Sequence, residues 1–329
     1  MQSANSGWWT WSSKKKALVL SLVVLIIVAL GVGLGVGLGI GLNHHQGKSS
    51  GNAPTNSGGN GGGNGGGNGR GNGRGNGGFN TTVKWQPAVG TKWQIELLNP
   101  LNDTSVDAPV YDIDMFDNSV MVVSNLHKMG RKVICYFSAG TYENWRPDAS
   151  DFQSSDFGNR LPDWSGEWWL NTNSENVRKV MKSRLDLAKK KGCDGVDPDN
   201  IDAYDNSNGL GLTKADAINY VNFLAKEADV RGLAIGLKNG GDIIDSVIDN
   251  MQWCVNEQCA QYNECAMFDS FIQANKPVFH IEYPKSDKIN NNNAVTPKQR
   301  SAACHAANEK GFSTVIKNMN LDNWVEYCS

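Results

Sequence analysis

The stretch that decides the fold reads Gly192-Cys193-Asp194-Gly195-Val196-Asp197-Pro198-Asp199-Asn200-Ile201-Asp202-Ala203-Tyr204, four aspartates in nine positions directly after a basic amphipathic segment. Such a run reads as a barrel strand that delivers carboxylates to a cavity. In extended backbone alternate residues share a face, so Asp197 and Asp199 point together while Asp194 and Asn200 point the other way. Two like charges on one face raise a pKa and strain the strand if they serve only packing, which makes this a candidate catalytic site.

Around this stretch, Lys84 to Ser329 has the length of an eight-stranded α/β barrel. Candidate strands are Trp93 to Leu98, Val110 to Met115, Lys132 to Ser138, Asp194 to Asp199, Leu233 to Asn239, Trp253 to Glu257, Pro277 to Tyr283 and Thr314 to Asn318. Helical patterns at Ser174 to Lys191, Thr213 to Arg231 and Pro297 to Lys310 separate some of them, and Gly130, Gly192, Gly232 and Gly311 stand where helices close. Strand and helix in alternation imply a parallel sheet, so the expected fold class is α/β, a (β/α)8 TIM barrel. The first crossover has no room for a helix. A doubly wound open sheet is the alternative, and the count of eight strands disfavours it.

Upstream the composition changes. The first 83 residues hold no Asp or Glu and six of the 31 basic residues, which leaves 25 basic against 33 acidic from Lys84 onward. An acidic globular part argues against a nucleic-acid partner and suits a cationic one. Ala17 to Leu42 is an uncharged run of 26 residues behind Lys14, Lys15, Lys16 and the aromatic Trp8, Trp9 and Trp11. It is long enough to span a bilayer, and lysines on its amino side place that end in the cytoplasm. A cleaved signal peptide is the rival; the long apolar core and the lack of a small-residue cleavage site disfavour it. The expected organisation is a cytoplasmic tail at 1–16, a transmembrane signal anchor at 17–42, a disordered Gly/Asn-rich linker at 43–83 and the TIM-barrel domain at 84–329. That is a single-pass type II membrane protein with its barrel outside the cell. The barrel is expected to be monomeric, with small-xxx-small glycine spacing in the anchor as a route to a helix-mediated dimer.

In a barrel the active face lies at the carboxyl ends of the strands. The polar residues ending the candidate strands include Asp112, Asp114, Tyr136, Ser138, Asp197, Asp199, Lys238, Asn239, Glu257, His280, Glu282 and Tyr283. Carboxylates from different strands facing one cavity suit glycoside hydrolysis, one as nucleophile or base and the other as acid. Asp199, nearest its strand's carboxyl end, and Glu257 form the expected catalytic pair, with Asp197 one layer deeper. Asp112, Asp114, Asp197 and Glu282 are substrate ligands or members of internal salt bridges, with Lys238 the natural partner. The long loop from Gly140 to Leu170 carries Tyr142, Trp145, Phe152, Phe157, Trp164, Trp168 and Trp169, flat rings that either stack on sugars or pack the loop onto the barrel.

A calcium loop starting at Asp197 would need Gly and Glu where Asp202 and Asn208 stand, and the histidines lack zinc spacing. No metal and no cofactor is expected. Outside the cell, Cys259 with Cys265 and Cys304 with Cys328 make good disulfides, Cys193 and Cys254 remain to be placed, and Cys135 inside an apolar strand is the expected free thiol. Asn80-Thr81-Thr82 and Asn102-Asp103-Thr104 are glycan acceptor sequons.

Trp93-Gln94-Ile95-Glu96-Leu97, Tyr111-Asp112-Ile113-Asp114, Val133 to Gly140, Gly192 to Asn200, Gly236-Leu237-Lys238-Asn239, Asn256-Glu257-Gln258-Cys259 and His280-Ile281-Glu282-Tyr283, in that order, resemble glycoside hydrolase family 114. Fungal members of that family are membrane-anchored endo-α-1,4-galactosaminidases acting on galactosaminogalactan. The resemblance implies a barrel with Asp199 and Glu257 as catalytic pair and Asp112, Asp114, Tyr136, Ser138, Asp197, Lys238, Asn239, His280, Glu282, Tyr283 and Trp168 around the substrate, a cationic galactosamine-rich polymer. The alternatives are an α-galactosidase acting on other α-galactosides and a non-catalytic polysaccharide-binding barrel.

Overall fold

The computed structural model of the protein describes residues 85–285, 289–305 and 311–328. The expected tail, anchor and linker, with the sequon at Asn80, lie outside the described residues. Among the described residues no helix is long and apolar enough to cross a membrane.

The strands in chain order are β1 (Trp93–Glu96), β2 (Val110–Asp114), β3 (Lys132–Ser138), β4 (Thr141–Glu143), β5 (Phe157–Arg160), β6 (Glu167–Leu170), β7 (Gly195–Asp199), β8 (Ala234–Lys238), β9 (Trp253–Glu257), β10 (Val278–Glu282), β11 (Ser313–Lys317) and β12 (Val325–Tyr327). The main sheet has the order β1-β2-β3-β7-β8-β9-β10-β11-β12, parallel throughout except for β12. The eight expected strands are therefore its eight parallel members. They close on themselves where β1 meets β11: the Trp93 indole N–H donates to the Ser313 carbonyl at 2.7 Å, and Lys317 Nζ to Gln94 Oε1 at 3.1 Å.

The helices that return the chain are α1 (Val120–Lys128), α2 (Glu175–Lys191), α3 (Lys214–Val230), α4 (Ile244–Val247), α5 (Cys259–Tyr262), α6 (Asp269–Gln273) and α7 (Pro297–Cys304). No helix lies between β1 and β2, as the short spacing requires. Local sequence fixes the ends of α2 and α3. The Ser174 side chain accepts from the Asn176 and Val177 N–H groups, Thr213 and Asp216 cap one another, and Gly192 closes α2 at φ 88°.

Residue parity divides each strand between two layers. Tyr111, Ile113, Val133, Cys135, Phe137, Val196, Ile235 and Leu237 face the helices. Trp93, Ile95, Val110, Ile134, Ala234, Trp253, Val255, Phe279 and Ile281 pack inside the barrel. The Trp253 indole fits there because Gly195 and Gly236 carry no side chain: a Cβ on Gly236 would lie 2.0 Å from Trp253 Nε1, and one on Gly195 2.5 Å from its Cη2. Pro198 explains an irregularity higher up. The ladder from β7 to β3 runs through Asp199, whereas that from β7 to β8 covers only Gly195 and Val196, short of a residue with no N–H to donate.

Three disulfides are present. Cys259–Cys265 and Cys304–Cys328 follow the expected pairing, but Cys135 is not free: it bonds to Cys193, and the buried Cys254 is the free thiol. Cys135 faces the helix layer, where the turn between α2 and β7 brings Cys193 beside it.

The long loop after β3 holds its own antiparallel sheet, ordered β4-β6-β5. Its aromatic residues are split between two uses. Tyr142 packs against Phe152, Phe157 and Trp168, and Trp169 is buried, while Trp145 and Trp164 are exposed.

Candidate active site

The charged residues at the ends of β7, β8 and β9 meet above the apolar interior. Each is followed at once by a residue in the left-handed region: Asn200 at φ 61° after Asp199, Asn239 at 52° after Lys238, and Gln258 at 63° after Glu257. Asparagine tolerates this conformation better than most residues, and it ends a strand abruptly. The turn at Asn200 aims its N–H at Asp199 Oδ1, 2.7 Å away, and Asn239 Oδ1 accepts the Glu257 N–H at 3.0 Å. Gly140 allows the loop after β3 to lie against this end, since a Cβ there would sit 1.6 Å from the Asn200 carbonyl oxygen.

Lys238 bridges the two carboxylates. Its Nζ donates to Asp199 Oδ1 at 3.1 Å and to Glu257 Oε2 at 2.7 Å, with the lysine side chain almost wholly buried. The other oxygens are also held: Tyr136 donates to Asp199 Oδ2 at 2.8 Å, and Tyr283 donates to Glu257 Oε1. Burial by itself would lower the Lys238 pKa, but Asp199, Glu257 and Asp197 outweigh it and hold it well above the ordinary value. Burial pushes Glu257 up, and Lys238, Tyr283 and Asn239 more than reverse this, leaving it below the ordinary glutamate value. Burial and the neighbouring carboxylates push both tyrosines well up, so each stays an O–H donor. The result is an ammonium clamped between two carboxylates at the mouth of a barrel.

Tyr136, Lys238, Asn239 and Tyr283 thus touch the expected pair. The other candidates lie elsewhere. Asp112 and Asp197 are wholly inaccessible to solvent beneath it. Asp114 is fully engaged away from Lys238, accepting from the Phe116 and Asp117 N–H groups and pairing with Arg146 at 2.7 Å. Ser138 is buried, hydrogen-bonds Thr141, and accepts from Asn200 Nδ2 at 2.9 Å, so it fastens the loop to the β7 turn. His280 and Glu282 face the helix layer, opposite to Ile281 and Tyr283: His280 meets Cys259 Sγ, Thr314 and Glu282, and Glu282 accepts the Ala260 N–H at 2.8 Å. Parity within one strand excludes them from the face that Tyr283 occupies. Trp168 stands half-buried on β6 against Tyr142.

Further acidic groups come from loops. Asp202, just past the Asn200 turn, is raised to about 6 by burial and by Asp199. Glu143 and Glu167 face each other across β4 and β6; burial and Glu143 raise Glu167 to about 7, and Thr141 donates to it at 2.9 Å. Arg146 pairs with Glu143 at 2.8 Å as well as with Asp114. No strand pattern announces these residues, because their partners arrive from separate connections. Among the described residues the grouping with metal-type donors is Cys259, Cys265 and His280, and its two sulfurs are bonded to each other.

A closed α/β barrel with acidic side chains at the carboxyl ends of its strands and aromatic residues at the rim is a fold and site common to enzymes that cut glycosidic bonds. The chain belongs to glycoside-hydrolase family GH114, whose sequence model matches residues 77–329, and it is a glycoside hydrolase. Among solved structures, Ega3 of Aspergillus fumigatus in complex with galactosamine is 67% identical, covering 75% of this chain and 99% of that one, with a TM-score of 0.74. The glycoside hydrolase domain of PelA from Pseudomonas aeruginosa shares the fold at 12% identity and a TM-score of 0.55, covering 72% of this chain and 98% of that one. A search of curated proteins gave no match.

Proposed function

We propose that the protein cleaves α-1,4-linked, galactosamine-containing polysaccharide internally, with Asp199 as nucleophile and Glu257 as acid and base. The observation that carries this reading is the Asp199–Lys238–Glu257 bridge at the mouth of a barrel 67% identical to one crystallised with galactosamine. An acidic surround suits a partly deacetylated, cationic polymer. Asp199 Oδ1 and Glu257 Oε2 cannot lie further apart than their two contacts to Nζ laid end to end, a span short of the roughly 6.5 Å at which inverting pairs begin. This favours retention.

In the first step Glu257, having taken up a proton from solvent as substrate binds, gives it to the leaving oxygen while Asp199 Oδ2 or Oδ1 bonds to the anomeric carbon and the bond to the leaving sugar breaks. In the second, Glu257 takes a proton from water, the water oxygen bonds to the anomeric carbon, and the Asp199 ester is released. Lys238 and Tyr136 hold the nucleophile in line, and Tyr283 holds Glu257. The depressed pKa of Glu257 favours a second reading, in which the roles are exchanged and Glu257 is the nucleophile. Azide rescue separates the two. If Asp199 is the nucleophile, Asp199→Ala with azide yields a β-glycosyl azide and Glu257→Ala an α-glycosyl azide; the reverse pattern exchanges the roles.

The substrate class is tested with the full-length protein on galactosaminogalactan and on α-galactosides. Shortened polymer with oligosaccharide products is expected. Release of galactose alone from α-galactosides would favour the α-galactosidase alternative, and polymer bound but uncut by both wild type and Asp199→Asn would leave a binding barrel. We also place residues 17–42 as the type II anchor and 43–83 as a tether that lets the barrel reach nearby wall polymer. Protease added outside intact cells is expected to release the barrel while leaving the amino terminus protected.

A further inference from the structure

Beneath the bridge lies a second acid pair. Asp112 on β2 and Asp197 on β7 are both wholly buried, and neither carboxyl has a hydrogen-bond donor on any other group of the described protein. All four oxygens are buried without a donor, and the two side chains, both on the interior face of the barrel, act directly on each other. Two neighbouring carboxylates closed off from solvent resist ionising together. Burial and Asp197 hold Asp112 well above the ordinary aspartate value, so Asp112 is the member placed to carry a proton. The charged groups that act on the pair are Lys238 from β8, Asp199 from β7 and Glu257 from β9; the buried Cys254 thiol on β9 also feels Asp197.

We propose that Asp112 and Asp197 form a singly protonated acid pair that anchors the Lys238 ammonium from below, so that both are positioning residues and neither touches substrate. The inference rests on reading Asp199, Lys238 and Glu257 as the catalytic centre. Its purpose appears in the reaction cycle. When Asp199 forms an ester with the sugar it loses its charge, and Lys238 loses one of its two carboxylate partners. The single charge on Asp197 is insulated from substrate and does not change, so Lys238 remains protonated and in place while the ester is hydrolysed. A doubly ionised pair would draw Lys238 away from the mouth, and a neutral pair would leave it without support.

The test compares Asp112→Leu, Asp112→Asn and Asp197→Asn in the full-length protein, with galactosaminogalactan as the probe substrate and thermal melting as the folding control. Asn at 112 still donates to Asp197, whereas Leu does not. Asp112→Leu and Asp197→Asn are expected to lower kcat about 100-fold with KM within about twofold, the magnitude of a misplaced catalytic group. Asp112→Asn is expected to recover at least about tenfold of what Leu loses. An infrared difference spectrum, wild type minus Asp112→Asn at neutral pH, gives a readout without substrate: the C=O band of one protonated carboxyl is expected in the difference, with the bands of Glu167 and Asp202 cancelling. A raised KM with unchanged kcat in Asp197→Asn, an Asn variant at position 112 as impaired as Leu, or no protonated-carboxyl band in the wild-type minus Asp112→Asn difference overturns the proposal. Asp199→Asn is assayed in parallel; if it keeps full turnover, the reading of the catalytic centre falls instead.

Discussion

The lower and upper halves of the barrel interior are lined by the same strands, a residue pair apart, yet they are opposite in chemistry. On β7, Gly195 is followed on the same face by Asp197 and Asp199; on β8, Ala234 and Gly236 by Lys238; on β9, Trp253 and Val255 by Glu257. The lower half is a dry packing of Trp93, Trp253 and Phe279 with aliphatic side chains. The upper half holds ionisable groups that burial alone would neutralise and that remain charged because they pair with one another. The apolar floor is thus part of the electrostatics, since it removes the water that would otherwise screen Lys238 from its carboxylates.

The comparison breaks most sharply at Lys238. In Lys238→Met the carboxylates above and below lose their shared cation, and kcat/KM is expected to fall about 1000-fold, as when a preorganised charge is removed. The pH dependence of stability gives an independent check. In wild type the depressed Glu257 pKa contributes stability that is present above the unfolded glutamate value and lost as pH falls through the folded value. Without Lys238 the carboxyl pKa values rise, so the stability deficit of the variant is expected to be about 3 kcal/mol or more near neutrality and to narrow as pH falls. A deficit that is constant with pH, measured by denaturant titration, would separate the charge from the fold.

The floor is probed at Gly236. In Gly236→Ala the added methyl meets the Trp253 indole, and a loss of about 3 kcal/mol is expected by urea unfolding, from overpacking a dense core. Activity per folded molecule should fall as well if the floor sets the height of Lys238, two residues on. Unchanged turnover in the folded fraction would uncouple the two halves. The smallest effect belongs to the helix-facing side of β10, outside both. Glu282→Gln weakens the contact to the Ala260 N–H and to His280 and is expected to cost about 1 kcal/mol of stability with kcat within threefold. A large loss of kcat would return Glu282 to the site.

The barrel strands are legible in the sequence because each is an apolar run that ends in polar residues, and that pattern survives folding. The faces are legible too where parity is followed: it unites Asp197 with Asp199 and separates Glu282 from Tyr283. Grouping His280, Glu282 and Tyr283 as one rim neglects that separation. What the sequence hides is the identity of partners that meet only in three dimensions. Asp114 is claimed by Arg146 from the long loop, and Cys135 by Cys193 across a strand pairing that skips the whole β4 to α2 insertion. The difference between Asp199 at the mouth and Asp112 below it is one of depth, which depends on the stagger between strands.

The left-handed residues at Asn200, Asn239 and Gln258 have a consequence for how this enzyme can change. Each ends its strand within one residue of the side chain that matters, so Asp199, Lys238 and Glu257 take their aim from the backbone of the barrel and not from the connections that follow. On the proposed mechanism, those connections can change in length while the three strand endings keep the reactive side chains in place. Substrate range and reaction chemistry would then be separately heritable, one written in the loops and the other in three strand endings.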